Sequence, residues 1–132
     1  MSGGHPSPLV NRAREAALAA YAPYSEFRVG AVVVTSDGEE VIGVNVENAA
    51  YPSSTCAEAS AIANAVAMGA RKIDTIVVAC IDAPDVEAAY PCGRCRQIMS
   101  EFDVKNVVVT GGRGTRTRTH TLDELLPHRF NL

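Results

Sequence analysis

Three of the four cysteines in this 132-residue chain lie in two short fragments whose spacing suits a metal site. Cys92 and Cys95 form a Cys-x-x-Cys pair, so one turn of chain can present both sulfurs to a single ion, and Cys56 lies in the other fragment. Three thiolates would leave one corner of a tetrahedral zinc site open, as in catalytic zinc, whereas structural zinc normally has four protein ligands. Cys-x-x-Cys alone also occurs in redox sites and structural zinc sites, so its surroundings must decide.

Both fragments follow a loop and begin a predicted helix. They are residues 55–58, Thr-Cys-Ala-Glu, and residues 91–95, Pro-Cys-Gly-Arg-Cys. The positive end of a helix dipole lowers the pKa of a thiol and so favours the thiolate that a metal needs. Glu58, two residues after Cys56, could take a proton from water activated by zinc and pass it on. A glutamate early in a helix is usually only a partner of the dipole, so the combination of fragments indicates catalysis better than either alone.

Helices and strands alternate along the rest of the chain. In chain order we expect a helix over 9–20 after Ser7 and Pro8, a β-hairpin over 27–35 and 40–46, a helix over 57–68, a strand over 73–81, a helix over 93–102, a strand over 106–110 and a short helix over 122–126. Residues 111–121 are polar and basic, which predicts an exposed turn or an edge segment.

The strand over 73–81 is apolar throughout, which is typical of a central strand covered on both faces. Cys80 lies in this run and is interpreted as a small buried hydrophobic residue. Helices interleaved with buried strands predict an α/β fold with one mixed central sheet covered by helices. With no internal repeat or linker, residues 1–132 are expected to form a single catalytic domain.

Composition narrows the class of partner. The formal net charge is -3 and no basic stripe runs along the chain, which argues against nucleic acid. No stretch approaches the roughly 20 apolar residues of a membrane span, so no membrane partner is expected. Residues 1–8 are polar and lack the apolar run of a signal peptide. We therefore expect a cytoplasmic protein whose thiols stay reduced.

Together, the two fragments match the pattern of zinc deaminases, in which Cys-x-Glu or His-x-Glu is followed by Pro-Cys-x-x-Cys. Across nearly the whole chain, from about residue 20 to 130, the sequence resembles the small homotetrameric branch of the cytidine deaminase family. Residues 21–31 look like its opening strand, 43–49 are similar to its ribose-binding segment, and 124–130 fit its ending. The resemblance implies a three-layer α/β/α cytidine-deaminase-like fold.

The resemblance also implies an activity, which is the hydrolytic deamination of cytidine or deoxycytidine to the uracil nucleoside and ammonia, a step of pyrimidine salvage. One zinc ion per subunit would be held by Cys56, Cys92 and Cys95 and would activate water for attack on C4 of cytosine. Glu58 would protonate N3 and then the departing amino group. The expected partner is a small nucleoside in a homotetramer.

Roles for the remaining site residues follow from the same resemblance. Asn45 and Glu47 would bind the ribose 3′-hydroxyl, an amide and a carboxylate alternating on one strand face. Phe27 would stack on the pyrimidine and the backbone of Ala57 would meet the polar edge of the base. Tyr51 and Phe130 are similar to residues that complete the site across subunit interfaces. The rival interpretations are that Phe27 is core, that residues 45 and 47 are a solvated strand face, and that Phe130 is tail packing.

The sequence departs from the family pattern at Ala59, where the family usually has Arg after Cys-Ala-Glu. Three thiolates on Zn²⁺ carry a net charge of -1, which should make bound water less acidic unless a cation compensates. Arg94, inside the Cys-x-x-Cys pair as in blasticidin-S deaminases, is the expected substitute that donates to the thiolates, and Arg96 is a weaker one. Residues 51–55 also lack the usual Gly after Tyr, which leaves the base and sugar preference open.

Three alternatives remain at the level of sequence. The chain could deaminate another small aminated heterocycle such as blasticidin-S. It could edit polynucleotides, for which the basic run 113–118 is the only local hint. It could also be a non-catalytic, zinc-stabilised binding module in which Cys80 is a fourth ligand, a reading that leaves Glu58, Asn45 and Glu47 unexplained.

Overall fold

The computed structural model describes residues 7–132, so residues 1–6 of the polar N-terminal segment lie outside the described part of the chain. Four α-helices and five strands alternate over the described residues. In chain order they are α1 (Pro8–Ala17), β1 (Val29–Thr35), β2 (Glu40–Val44), α2 (Ala57–Ala67), β3 (Ile73–Cys80), α3 (Gly93–Glu101), β4 (Asn106–Thr110), β5 (Thr117–Thr121) and α4 (Leu122–Leu125). Short 3₁₀ turns cover Tyr51–Ser53 and Val86–Ala89. None of the described helices has the length and apolar character that crossing a membrane requires.

The five strands form one sheet in the order β2-β1-β3-β4-β5. β3 and β4 are parallel, with α3 in the connection between them, and the other neighbouring pairs are antiparallel. A parallel pair needs a crossover connection, which is why the chain leaves the sheet between β3 and β4. The predicted mixed central sheet is confirmed.

Helices cover both faces of this sheet. Val32 of β1 and Val77 of β3 pack with Val10 of α1. Their neighbours Val33 and Val78 point the other way, into a larger cluster that α2, α3 and α4 complete. Successive side chains on a strand alternate between faces, so one strand serves both cores. The predicted three-layer α/β/α arrangement is confirmed.

Several element boundaries differ from the sequence prediction, most clearly those of α1 and β1. α1 ends at Ala17 because the amides of the next three residues bond three residues back, which tightens the chain into a turn. β1 begins at Val29, two residues late, because the side-chain amide of Asn45 bonds the backbone on both sides of Arg28. The polar segment after β4 contains a regular edge strand, β5.

α2 packs unusually close to β2. Ala57, Ala61 and Ala65, spaced four residues apart on one helix face, have no exposed surface. A Cβ atom at Gly43 of β2 would lie 2.2 Å from the backbone nitrogen of Ala61, so only glycine permits this approach. The start of α2, which carries Cys56 and Glu58, is therefore held by direct contact with the sheet.

Candidate active site

The two cysteine fragments come together at the N-terminal ends of α2 and α3. Cys56 is the N-cap residue of α2, Cys92 is the N-cap residue of α3, and Cys95 lies in the first turn of α3. The three Sγ atoms lie within 4.8 Å of one another. Residues far apart in sequence thus form one compact group of three sulfur donors.

This donor set fits zinc. Zn–S bonds of about 2.3 Å at tetrahedral angles place sulfurs roughly 3.8 Å apart, which is inside the observed spread. All four cysteines are free thiols, so no disulfide competes for the sulfurs. Thiolates are soft ligands that select zinc over Mg²⁺ or Ca²⁺. Three sulfurs leave one position of a tetrahedral ion for water or substrate.

The three thiols also compete for protons. A hydrogen bond from Cys95 holds the pKa of Cys56 down to about 6, with smaller contributions from Cys92 and Arg94. The same hydrogen bond raises the pKa of Cys95 well above its ordinary range. Without a cation, one thiolate is therefore stabilised at the expense of its neighbour. A divalent cation is the group that would allow all three sulfurs to ionise.

Cys80 does not belong to the sulfur group. Its side chain is buried and its Sγ points to the carbonyl oxygen of Ala89 at 3.5 Å. Burial raises the pKa of this thiol to about 12, so it remains protonated. This position agrees with the interpretation of Cys80 as a small buried residue. It disagrees with the alternative in which Cys80 is the fourth ligand of a closed zinc site, because its sulfur is not part of the group.

Glu58 is buried beside the sulfur group, with 5% of its surface exposed. Burial raises the pKa of its carboxyl group to about 7. A carboxyl group with a pKa near neutrality can both accept and donate a proton under the conditions in which most enzymes work. Burial of this acid beside three clustered thiols is typical of a functional site, since a glutamate with only a structural role would normally stay exposed.

The two arginines of the second fragment have different environments. Arg94 is exposed and lies near enough to Cys56 to favour its thiolate by charge and by hydrogen bonding. Arg96 instead donates from Nε to the carbonyl oxygen of Pro91 at 2.9 Å and from Nη1 to that of Leu125 at 2.8 Å. Arg96 is thus occupied by the backbone, which leaves Arg94 as the cation of this fragment that faces the sulfurs.

The sulfur group and Glu58 open into a cavity of about 170 Å³. The residues that line it are Phe27, Val29, Asn45, Cys56, Ala57, Glu58, Cys80, Ala89, Tyr90, Cys92 and Cys95. Pockets for drug-sized ligands span about 300–1,000 Å³, so this cavity suits one small ring. A larger cavity of about 580 Å³ between residues 81–86 and 111–116 contains none of these groups, so we assign the chemistry to the smaller one.

Besides Cys80, which was interpreted as a buried core residue, the sequence analysis did not place Val29, Ala89 and Tyr90 at this cavity. Val29 looks like any strand residue, and Ala89 and Tyr90 lie in a segment interpreted as a plain loop. Tyr90 directly precedes the Pro-Cys-x-x-Cys fragment, which was the one available signal.

Asn45 and Glu47 hold the 24–29 segment that carries Phe27. The Asn45 amide accepts from the Val29 nitrogen and donates to the Phe27 carbonyl oxygen, both at 2.9 Å. Glu47 accepts from the Tyr24 nitrogen at 2.9 Å and from the nitrogen and hydroxyl of Ser25. The hydroxyl bond is the main reason why the pKa of Glu47 is lowered. Asn45 lines the cavity, whereas Glu47 lines a second cavity of about 220 Å³.

Tyr51 and Phe130 lie outside the cavity of their own chain. Tyr51 is 84% exposed and borders the second cavity with Glu47, and Phe130 is 69% exposed. The Phe130 carbonyl oxygen accepts from Gln97 Nε2 at 3.4 Å, which ties the tail to α3 while the ring stays in solvent. Within one chain, neither ring lines the cavity that contains the sulfur group and Glu58.

The chain is similar to known proteins over most of its length. Residues 6–111 match the family model described as the cytidine and deoxycytidylate deaminase zinc-binding region. A cytidine deaminase of Halalkalibacterium halodurans is 38% identical over 92% of this chain and 91% of the relative. The crystal structure of cytidine deaminase from Burkholderia pseudomallei aligns with a TM-score of 0.83 and 40% identity, covering 92% of this chain and 96% of that one. A blasticidin-S deaminase of Bacillus cereus is 32% identical over 80% of this chain and 79% of its own.

Proposed function

Because this chain belongs to the zinc-dependent cytidine deaminase family, we propose that Cys56, Cys92 and Cys95 hold its zinc ion and that Glu58 moves the protons of the reaction. The enzyme converts cytidine to uridine and ammonia by hydrolysis. The observation that supports the assigned roles is a buried carboxyl group that shares one small cavity with three clustered thiols. The catalytic domain is proposed to span residues 1–132.

Glu58 is proposed to carry both protons that water supplies. When bound, zinc supplies the Lewis acidity that lets water act as a nucleophile near neutral pH. Glu58 accepts one proton from the attacking water and donates it to N3 of cytosine. It then transfers the second to the amino nitrogen, which leaves as ammonia while a carbonyl oxygen remains at C4. A pKa of about 7 suits a group that must accept and donate in turn.

The substrate is proposed to place its base in the cavity and its sugar towards Glu47. Phe27 is half-buried in the cavity wall, where stacking on a base is worth about 1–3 kcal/mol. The backbone of Ala57 faces the same space, beside Glu58. Asn45 retains one free N–H, and Glu47, kept ionised by Ser25, retains lone pairs for a sugar hydroxyl.

Arg94 is proposed to offset the excess negative charge of three thiolates. It would replace the arginine that the family usually has at position 59, where this chain has alanine. Arg94→Ala is expected to weaken zinc binding by about tenfold, the lower end for lost outer-shell partners. The pH-rate profile should move to higher pH, because water is harder to activate beside an uncompensated charge of -1. Chelator competition and kcat/KM against pH measure the two effects.

Arg113→Ala is the matched control for Arg94, because it removes an exposed arginine that lines the larger cavity, where none of the three sulfurs lies. An Arg94→Ala enzyme with the zinc affinity and pH profile of this control would leave Arg94 as an ordinary surface residue.

The enzyme is proposed to be a homotetramer whose sites are completed by Tyr51 and Phe130 of neighbouring subunits. Both rings are exposed in the single chain and do not line the cavity that contains Glu58. A side chain can complete a neighbour's site only if it projects from its own subunit, and the exposure of both rings satisfies that condition. Phe130→Ala is therefore expected to raise the KM for cytidine by about tenfold, as for one lost aromatic contact with a base.

Mixing subunits tests this arrangement directly. Phe130→Ala subunits reassembled with inactive Glu58→Gln subunits should regain a normal KM, because the inactive neighbours supply Phe130. A monomer in sedimentation equilibrium, or mixtures without recovery, would contradict the shared site.

An assay of ammonia release with cytidine, deoxycytidine and blasticidin-S tests the substrate range. We propose both nucleosides as substrates, since the cavity residues include the Phe27 and Asn45 of an ordinary nucleoside site. Blasticidin-S is the second candidate because Arg94 takes the place of the usual arginine at residue 59 and because a blasticidin-S deaminase is among the relatives. Faster turnover of blasticidin-S than of cytidine would reverse this order.

The cytoplasm is proposed as the compartment of this enzyme. All four cysteines are free, and three of them must stay reduced to bind the metal. Cytosolic thiols are kept reduced, whereas oxidising compartments favour disulfides. Fractionation of cells that express the chain would test this, and recovery of the active enzyme outside the cytosol would contradict it.

A further inference from the structure

The hydroxyl group of Tyr90 contacts the edge strand β5. Its oxygen lies 2.8 Å from Nε2 of His120 on β5, and the two rings are 5.4 Å apart at an angle of 55°. Tyr90 is also part of the cavity wall and comes two residues before Cys92. One side chain thus connects the edge strand with the segment that carries a metal ligand.

β5 holds this segment at a second point. Arg118, which shares a strand face with His120, forms an ion pair with Glu87 at 2.6 Å. Thr119 lies between them and points to the other face. Two neighbouring contacts from one strand face therefore restrain the long connection between β3 and α3.

The other ring nitrogen of His120 lies near a carboxylate group. Its Nδ1 lies 3.8 Å from a carboxylate oxygen of Glu124, and the same oxygen accepts from the backbone nitrogen of Thr121 at 2.8 Å. Glu124 is fixed in turn by the capping box at the start of α4. Nδ1 thus lies near this carboxylate but beyond hydrogen-bond distance, and the polar contact of the imidazole is the one from Nε2 to Tyr90.

The backbone after Tyr90 is restrained as well. The Pro91 carbonyl oxygen accepts from Arg96 Nε at 2.9 Å, and Pro91 is buried. Tyr90 is thus held by its side chain and Pro91 by its carbonyl, immediately before Cys92. Cys92 itself is exposed and is held at the start of α3 by the bond from the Arg96 nitrogen to its carbonyl oxygen, so the contacts of Tyr90 and Pro91 restrain the chain that leads into it.

We propose that Tyr90 and His120 are a positioning pair that sets the place of the Cys92 sulfur and of the adjoining cavity wall. The pair acts through the loop and not on the reacting atoms. This inference rests on the proposed function, because it takes Cys92 as a zinc ligand and the cavity as the base site. Residues that orient metal ligands from outside typically change metal affinity 10–100-fold when they are replaced.

Tyr90→Phe and His120→Phe test the pair, because each keeps an aromatic ring and removes the polar contact. Each variant is expected to bind zinc about tenfold more weakly in competition with a chromogenic chelator. At saturating zinc, the KM for cytidine should rise severalfold while kcat changes less, since a displaced wall affects base binding before proton transfer. The double variant should resemble the single ones, because both lose the same contact.

Thr119→Val is the matched control on the opposite face of β5, and it should retain the zinc affinity and KM of the parent. If Tyr90→Phe matches this control, or lowers only the melting temperature, the pair belongs to the fold alone and the proposal is wrong. Zinc binding and deamination by the parent chain are measured in the same experiment, so failure of the positioning pair is distinguished from failure of the proposed function.

Discussion

Glu58→Gln is expected to lower kcat for cytidine by about 10²–10⁴-fold, the range that general acid–base catalysis contributes. Glutamine fills the same buried volume and can still donate a hydrogen bond, but it cannot take a proton from water and deliver it to N3 or to the leaving amino group. Zinc content and nucleoside affinity should persist, because the three clustered sulfurs are unchanged and glutamine keeps the shape of the side chain. Stopped assays of uridine formation and metal analysis of the same sample measure both.

The control for Glu58→Gln is Glu101→Gln, an identical change at an exposed position at the end of α3. It should leave kcat, KM and zinc content at parental values. Full turnover in Glu58→Gln would show that this residue does not transfer the protons. Loss of zinc in that variant would indicate that the carboxyl group binds the metal.

Removal of zinc is expected to abolish deamination and to do so reversibly. Dialysis against a strong chelator should reduce uridine formation to background, and one equivalent of Zn²⁺ per chain should restore it. Mg²⁺ should not, because it prefers oxygen ligands and the site offers sulfur. The stripped chain should keep its helical circular dichroism, since an extensive core lies outside the site, while its melting temperature falls by linkage.

A pair of cysteine variants sharpens this test. Cys95→Ala should lose zinc and activity together, whereas Cys80→Ala should retain one zinc per chain, because Cys80 is buried with its sulfur on a backbone carbonyl. X-ray absorption should count three sulfurs around the metal. Four sulfurs in the parent and three in Cys80→Ala would instead describe the closed, non-catalytic zinc module.

The sulfur group and Glu58 were predictable from sequence because the residues of each fragment lie close together along the chain. Cys92 and Cys95 are one helical turn apart, Glu58 follows Cys56 by two residues, and each fragment precedes an apolar or helical run. The alternating elements likewise predicted the mixed sheet, since a fully apolar strand such as β3 needs cover on both faces. Patterns of a few residues therefore carried the fold class and the centre of the site.

The contacts that shape the cavity were not predictable in this way. The Tyr90–His120 contact spans 30 residues, and the β5 segment that supplies His120 was predicted only as an exposed turn or an edge segment. Asn45 and Glu47 were expected to face a sugar, yet their side chains also form hydrogen bonds with the 24–29 segment. Most of that segment precedes β1, so its backbone groups are free of the strand pairing and bond side chains instead. Long-range pairings depend on how the strands come together, which no short window of sequence contains.

The separation of the sulfur donors along the chain has a consequence for the order of assembly. Two donors come from one helical turn and can capture an ion early, but the third arrives from a helix start 36 residues earlier in the chain. Both helices must first be brought to the same side of the sheet, which requires β3 to be in place between them. If these sulfurs hold zinc as proposed, the ion can gain its third sulfur only after the long loop between the two fragments has closed. Zinc binding is then expected to stabilise the folded domain and not to nucleate its folding.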